Sequence, residues 1–168
     1  MRNMGVVIAG LALLSVQEAP GGVTPAAPKP LSRAQRLAEA AIKSKKLILI
    51  GWREVPVDTS ALGEQALETL PVIRHALIPR PASIKPGDFE RQLFLVRRRI
   101  EQSWERERIS DCYIPSFSSQ TIAYKGLLVA PQLPLFYQDL SDADYASAIA
   151  VFHQRYSTNT FPNRFLAQ

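Results

Sequence analysis

The side chains best suited to chemistry lie near the C-terminus, in His153-Gln154-Arg155-Tyr156-Ser157-Thr158-Asn159-Thr160, followed by Phe161-Pro162. Arg155 offers a planar fork of donors matched to a carboxylate. Ser157, Thr158, Asn159 and Thr160 can donate or accept hydrogen bonds, and they favour turns over helix. Ahead of them Ala148 to Phe152 is apolar and reads as a buried strand. A strand ending in such a cluster has the form of a binding edge for an amino-acid-sized ligand. The plainer reading is a polar strand end closed by a turn, and composition alone favours it. Elsewhere reactive groups are sparse. The one cysteine, Cys112, can form no intramolecular disulfide, and no C-x-x-C or His/Cys cluster suggests a metal. The histidines, His75 and His153, are far apart and read as satisfied core or edge residues rather than ligands or bases.

The elements that must position these groups follow from periodicity and punctuation. Residues 1–18 form an apolar N-terminal segment. Val6 to Leu13 reads as a buried strand, with the core of a secretory signal as the alternative, although Gln17-Glu18-Ala19 is a poor cleavage site. Its apolar stretch is too short to span a bilayer. Residues 19–30, rich in proline and glycine, read as a linker. Ser32 caps a helix to about Lys45, and Leu47 to Trp52 reads as a strand. Thr59 or Ser60 caps a short helix through Leu67, and Val72 to Ile78 is another strand. Asp88, after Pro86-Gly87, caps a long helix to about Arg106. Phe89, Leu93, Val96 and Ile100 share one face of it, which turns most of Arg97-Arg98-Arg99 toward solvent. Cys112 to Ser118 and Thr121 to Tyr124 read as a hairpin about Ser119-Gln120. Pro131 to Tyr137 is short and helical in character. Interleaved helices and strands with a tight hairpin favour an α+β fold over a parallel doubly wound sheet.

Length and charge bound the function. The chain has 168 residues, enough for one domain with a sizeable core. Its net charge of +5 is modest, and no stacking aromatics interleave with the basic residues, so a nucleic-acid interface is not expected. Nothing in the sequence suggests a membrane partner.

Four stretches carry a family resemblance. The first is His153 to Pro162. The second is Gly51-Trp52-Arg53-Glu54-Val55-Pro56-Val57-Asp58. The third is Phe89-Glu90-Arg91-Gln92-Leu93 with Arg97 to Glu101. The fourth is Tyr113, Ser116-Phe117-Ser118-Ser119 and Thr121 to Leu128. In order and spacing they resemble H-x-R-[FY]-S-T-N-T-F-P, G-W-R-x-V-P-x-D, F-E-R-x-L…R-R-R-I-E and Y-x-x-S-L-S-S-x-T-I-x-Y-K-G-M-L of the glutaminase domain of glutamate synthases, which are class II glutamine amidotransferases. The match runs from about Arg36 to Phe161, within a partial amidotransferase domain at 31–168.

The resemblance implies an N-terminal-nucleophile-hydrolase-like αββα sandwich of mixed, largely antiparallel sheets. It implies that Arg155 grips the α-carboxylate of glutamine, with Thr158 beside it, while Trp52 and Arg53 are structural. In that family an N-terminal cysteine attacks the glutamine side-chain amide, with its own α-amine as base. This sequence begins Met1-Arg2, and Cys112 has neither a free α-amine nor a nearby histidine. The family's H-N-G-E segment, which supplies oxyanion donors, is also missing, since after Phe161-Pro162 only Leu166-Ala167-Gln168 follows the family pattern. No catalytic residue is therefore assigned, and the chain is expected to be inactive alone. The alternative is a non-catalytic module that binds an amino acid or a protein partner. The implied partners are glutamine, weakly held or lost, and the remaining parts of a glutamate synthase. The parent's FMN and iron–sulfur cluster belong to those other parts, and no cofactor is expected here. A cytoplasmic location is expected, the signal-like N-terminus being the alternative.

Overall fold

The computed structural model describes residues 11–18, 31–68, 70–126 and 128–153. Strand β1 (Leu11–Glu18) is followed by helix α1 (Arg33–Ser44), strand β2 (Gly51–Glu54), the short helix α2 (Glu64–Glu68) and strand β3 (Val72–Pro79). Helix α3 (Pro86–Arg106), the two-residue strands β4 (Cys112–Tyr113) and β5 (Phe117–Ser118), and helix α4 (Leu133–Phe136) complete the order. The sheet runs β2-β3-β1-β4, every pairing is antiparallel, and β5 also joins β1. With the five-residue α2 and the short β5 set aside, the β-α-β-β-α-β order in this sheet is the split βαβ arrangement of ferredoxin-like plaits. The α+β expectation holds at that level.

Each helix forms for a local reason. Ser32 accepts from Gln35 N at 3.2 Å while the Gln35 side chain accepts from Ser32 N at 3.0 Å, a complete capping box at α1. In α3 the 3.6-residue repeat places Phe89, Leu93, Val96 and Ile100 on the buried side, all fully shielded. Both helices pack on one face of the sheet, against Ala76 and Ile78 of β3. The Trp104 indole seals the seam by donating to Ala34 O at 3.1 Å. β3 alternates accordingly, with Ile73 and His75 buried on the opposite face.

That opposite face is covered at one end by a strap that includes residues 124–126 and 128–141. The strap packs Tyr137, Phe136 and Tyr124 over Ile73 and Val55, and Val57 makes an isolated antiparallel bridge to Tyr137. The Tyr137 hydroxyl, deep in this second core, donates to Lys125 O at 2.6 Å.

Several expectations are corrected. The first strand runs on to Glu18 rather than ending at Leu13; its described part is Leu11–Glu18, and Val6 to Gly10 lie outside the described residues. β2 begins at Gly51, because the chain entering it is bulged: Ile50 N donates to Leu77 O at 2.8 Å, while Gly51 holds the register opposite Leu77. α2 begins at Glu64, beyond the caps expected at Thr59 or Ser60; there Asp58 instead accepts from Ser60 N at 2.8 Å, a local turn. α3 is capped at Lys85 without a side-chain bond, Pro86 opens it, and Asp88 sits in its first turn, where a carboxylate favours the helix N-terminus.

The expected hairpin does not form. Phe117 and Ser118 pair with β1 instead, and between β4 and β5 the register along β1 slips by one residue around Pro115. The Ser118 hydroxyl, accepting from Gln120 N and Thr121 N, turns the chain away from any second hairpin strand. Ala148 to His153 is neither strand nor buried, and Val151 is 94% exposed. An apolar pattern cannot supply a ladder partner, and among the described residues this run has none.

Candidate functional site

Arg155 and Thr158, the expected glutamine contacts, lie outside the described residues. His153 is the last described residue and is exposed, not the buried end of a strand. Trp52 packs on the helix-side core and donates from Nε1 to Glu39 at 2.8 Å, the structural role expected of it. Cys112 is half-buried in β4, with Sγ 3.8 Å from Asp111 Oδ1. Arg97 departs from the solvent-facing expectation. Its guanidinium bonds Glu101 and donates to Ile114 O at 2.9 Å, tying α3 to the end of β4.

The remaining motif residues converge in two polar joints. In the first, the Glu90 carboxylate in the first turns of α3 accepts from Ser119 N at 2.7 Å, from the Ser119 hydroxyl and from the Ser118 hydroxyl at 2.9 Å. Two of the resembling stretches therefore meet at one carboxylate, which is satisfied and shaped to hold the turn after β5 rather than to receive a ligand.

The second joint lies on the strap face. Arg53 points from β2 to the opposite side from Trp52, because successive strand residues alternate. Its two terminal nitrogens grip both oxygens of Asp139, and the Nη1–Oδ2 contact measures 2.8 Å. Tyr124 donates its hydroxyl to the same Asp139 Oδ2 at 3.1 Å. His75, the β3 partner of Arg53, stands edge-on to the Tyr124 ring with centroids 6.4 Å apart. Tyr137 and Tyr145 stack edge-on against Tyr124 at 4.8 and 6.3 Å.

The electrostatics of this joint follow from burial and pairing. Hydrogen bonds from Arg53 hold the Asp139 carboxyl below its usual range, and the same bonds raise the Arg53 guanidinium. Burial, with the neighbouring Arg53 cation adding, lowers His75 to about 4, so its imidazole is neutral at pH 7. Burial first, then Asp139, pushes the Tyr124 phenol up, so it keeps its proton. None of the four changes protonation near neutral pH. The joint can orient and hold but is unsuited to general acid–base work.

Beside the strap, Leu62, Leu70, Ile73, Leu128, Phe136 and Tyr137 help enclose a mostly apolar cavity of about 30 Å³, room for about one water. Lys125 adjoins it. Burial, then Arg97, lowers its ammonium, which sits 4.9 Å from the Tyr113 ring centroid. Among the described residues no cluster of three or more His, Cys, Asp or Glu is placed to hold a metal, and no helix is long and apolar enough to cross a membrane.

In the sequence Arg53 and Tyr124 stand out only as members of motifs, His75 only as a core or edge histidine, and Asp139 not at all. Asp139 lies 86 residues from Arg53 and in none of the resembling stretches, so only the folded chain reveals the pair.

Comparison with known proteins bears on the same stretches. Residues 15–168 match the family of class-II glutamine amidotransferases. The glutamate synthase [NADPH] large chain of Azospirillum brasilense is 42% identical over 132 residues, which is 79% of this chain and 9% of that protein. The corresponding large chain of Bacillus subtilis (strain 168) is 40% identical, over 76% of this chain and 8% of its own length. The chloroplastic/mitochondrial ferredoxin-dependent glutamate synthase 1 of Arabidopsis thaliana is 39% identical, over 82% of this chain and 9% of its own. The chain thus spans under a tenth of the length of these relatives.

Proposed function

The chain belongs to the class-II glutamine amidotransferases, and from that premise we propose that it is part of the glutaminase domain of a glutamate synthase. In this reading the plait is part of an αββα sandwich of the N-terminal-nucleophile-hydrolase type, located in the cytoplasm. Glutamine is the substrate. Arg155 grips its α-carboxylate through the planar fork and Thr158 lies beside it. The parent reaction hydrolyses the side-chain amide and passes ammonia to 2-oxoglutarate to form glutamate. The supporting observation is convergence: residues of three resembling stretches meet at the Glu90 and Arg53 joints, as expected if they are scaffold for the stretch His153 to Pro162.

The donor set does not fit the cofactors of such synthases. A cluster needs several thiolates, and half-buried Cys112 is the one thiol in the sequence. No G-x-G-x-x-G stretch offers a dinucleotide cradle. FMN and an iron–sulfur cluster belong, on this reading, to other regions of the parent, and this polypeptide purifies colourless.

Cys112 carries no free α-amine to serve as its base, so the polypeptide assayed alone gives no glutaminase turnover. Ammonia release from glutamine, measured with the wild type and Cys112→Ser, tests this; release that survives the substitution contradicts it. Titration calorimetry with glutamine tests the grip. Affinity is millimolar or weaker, because one charge-assisted contact does not offset the entropy of association. Arg155→Lys weakens it further, and binding indifferent to that change removes the assignment. The second reading, a non-catalytic amino-acid-binding or protein-interaction module, gains from the Arg53 joint, which holds no group able to move a proton near pH 7. Glutamine binding without turnover, in complex with the rest of a synthase, would favour it.

A further inference from the structure

Asp139 does more than close the strap. Up to Tyr137 the strap is held by apolar packing and by a main-chain bond to the chain leaving β2, from Asp58 N to Phe136 O at 2.8 Å. Beyond Tyr137 the hold is mainly polar. Gln138 N donates to Pro56 O at 3.3 Å, and Arg53 grips both carboxylate oxygens of Asp139, whose side chain is 13% exposed. Leu140 adds a partly buried contact. A two-point grip fixes the rotation of the carboxylate as well as its distance, which a point charge cannot do.

From Asp139 the chain proceeds through linked turns. Leu140 N donates to Tyr137 O at 3.0 Å, Asp142 N to Asp139 O at 3.3 Å, Asp144 N to Asp142 Oδ1 at 2.9 Å and Tyr145 N to Asp142 O at 3.0 Å. The Ser141 hydroxyl donates back to Pro134 O at 2.8 Å. Tyr145 then stacks edge-on against Tyr124, whose hydroxyl bonds the same Asp139. Tyr137 to Tyr145 is therefore one unit, and the Arg53 fork ties it to the sheet. Arg155 follows ten positions after Tyr145 in the sequence.

We propose that Arg53 is a positioning residue for glutamine: through Asp139 it fixes the unit from Tyr137 to Tyr145, and with it the point from which the chain sets out toward Arg155. This role rests on Arg155 being the carboxylate grip. A segment with no fixed start must be ordered as the ligand binds, and that ordering subtracts from affinity. Held at its start, the same segment begins from a narrower set of positions.

Glutamine titrations of the full 168-residue chain, followed by amide NMR, test this. Arg53→Lys keeps the charge but loses the fork, and should raise the glutamine dissociation constant about threefold to tenfold. Adding Asp139→Glu lengthens the acid by one methylene and should recover part of that loss. Tyr124→Phe, which keeps the ring and the fork and removes one hydrogen bond to Asp139, should have a smaller effect. Circular dichroism and slow hydrogen exchange in α3 should show every variant folded. The decisive readout is a double-mutant cycle. Arg53→Lys added to Arg155→Lys should have little further effect, because the first acts through the second, whereas a general loss of stability would add independently. Wild-type affinity in Arg53→Lys, or full additivity with Arg155→Lys, overturns the positioning role and leaves the grip in place. Glutamine binding indifferent to Arg155→Lys overturns the grip itself, and the positioning role with it.

Discussion

The two faces of the sheet are held by different physics. On the helix face the buried residues of α1, α3 and β3 are almost all aliphatic or aromatic, and polar contacts such as Trp104 to Ala34 O only seal the seam. On the strap face the buried core is small, Val55, Ile73, Phe136 and Tyr137, and it is closed by tyrosine hydroxyls and the Arg53–Asp139 pair. Dispersion and water exclusion tolerate no missing volume but are indifferent to pH. A joint of ionised and hydroxyl groups tolerates small changes of volume but depends on charge. The two faces should therefore fail under different insults.

The largest effect belongs to the helix face. Leu93→Ala removes a fully buried side chain from the centre of α3 and should cost about 2–5 kcal/mol, through lost transfer energy and the cavity left behind. Urea denaturation at pH 7 measures it. The loss should be the same at pH 7 and pH 5, because no ionisable group is involved; a strongly pH-dependent loss would show the two cores to be one.

The next largest effect is a property of the strap face alone. His75 has a folded value of about 4 against an ordinary 6.5. Above pH 6.5 it is neutral in both states and contributes no pH dependence. As pH falls toward 4 the unfolded chain takes up the proton and the folded chain does not, so stability falls through that window and levels below it. The full loss is up to about 3 kcal/mol. His75→Phe should remove this slope between pH 6.5 and 4 in denaturation measured across that range. An unchanged slope would place the acid sensitivity elsewhere. Asp139 adds to acid lability only lower, because its depressed carboxyl protonates below its ordinary 3.8.

A third test targets the strap's anchor. Asp139→Asn removes the charge that faces the Arg53 fork and should cost about 1–3 kcal/mol. The discount for exposure matters, because the Arg53 side chain is 41% exposed and water replaces part of the lost pairing. The signature is selective: hydrogen exchange should accelerate in residues 128–141 and remain slow in α3. Uniform acceleration would mean that the strap and the plait unfold together.

The same contrast explains what the sequence discloses. α3 was legible because its repeat is long, regular and local, and Phe89, Leu93, Val96 and Ile100 needed no partner to be identified as core. α1 was legible because Ser32 and Gln35 settle its start within one turn. The plait order was not, since strand pairing depends on contacts far apart in the chain. Phe117 and Ser118 had two candidate partners, and the edge of β1 prevailed over the nearer Thr121 to Tyr124. The strap joint was illegible for the same reason. Arg53 announces a binding partner but not which of several acidic residues provides it, and Asp139 sits in a short, weakly patterned stretch. Ala148 to His153 misled because an apolar run signals burial without naming what buries it.

The smallest expected effect returns to the helix face, at the part-buried polar cap of α1. Ser32 is the N-cap of α1, and its hydroxyl satisfies the amide of Gln35 while the Gln35 side chain satisfies Ser32 N. Gln35 is itself 2% exposed, so the box is shielded from water at one member. Ser32→Ala leaves a helix-end amide without its side-chain acceptor and should cost about 1 kcal/mol. Ser32→Asp should recover most of that, because a carboxylate caps equally well and faces the positive end of the helix dipole. The recovery should fade as the new carboxyl protonates below about pH 4, in a region with no other titrating group in the first turn of α1. Denaturation midpoints for wild type and both variants, at pH 7 and pH 3.5, separate the cases. If alanine costs nothing at either pH, helix packing alone holds the end of α1, and the helix face depends on polar chemistry even less than its composition suggests.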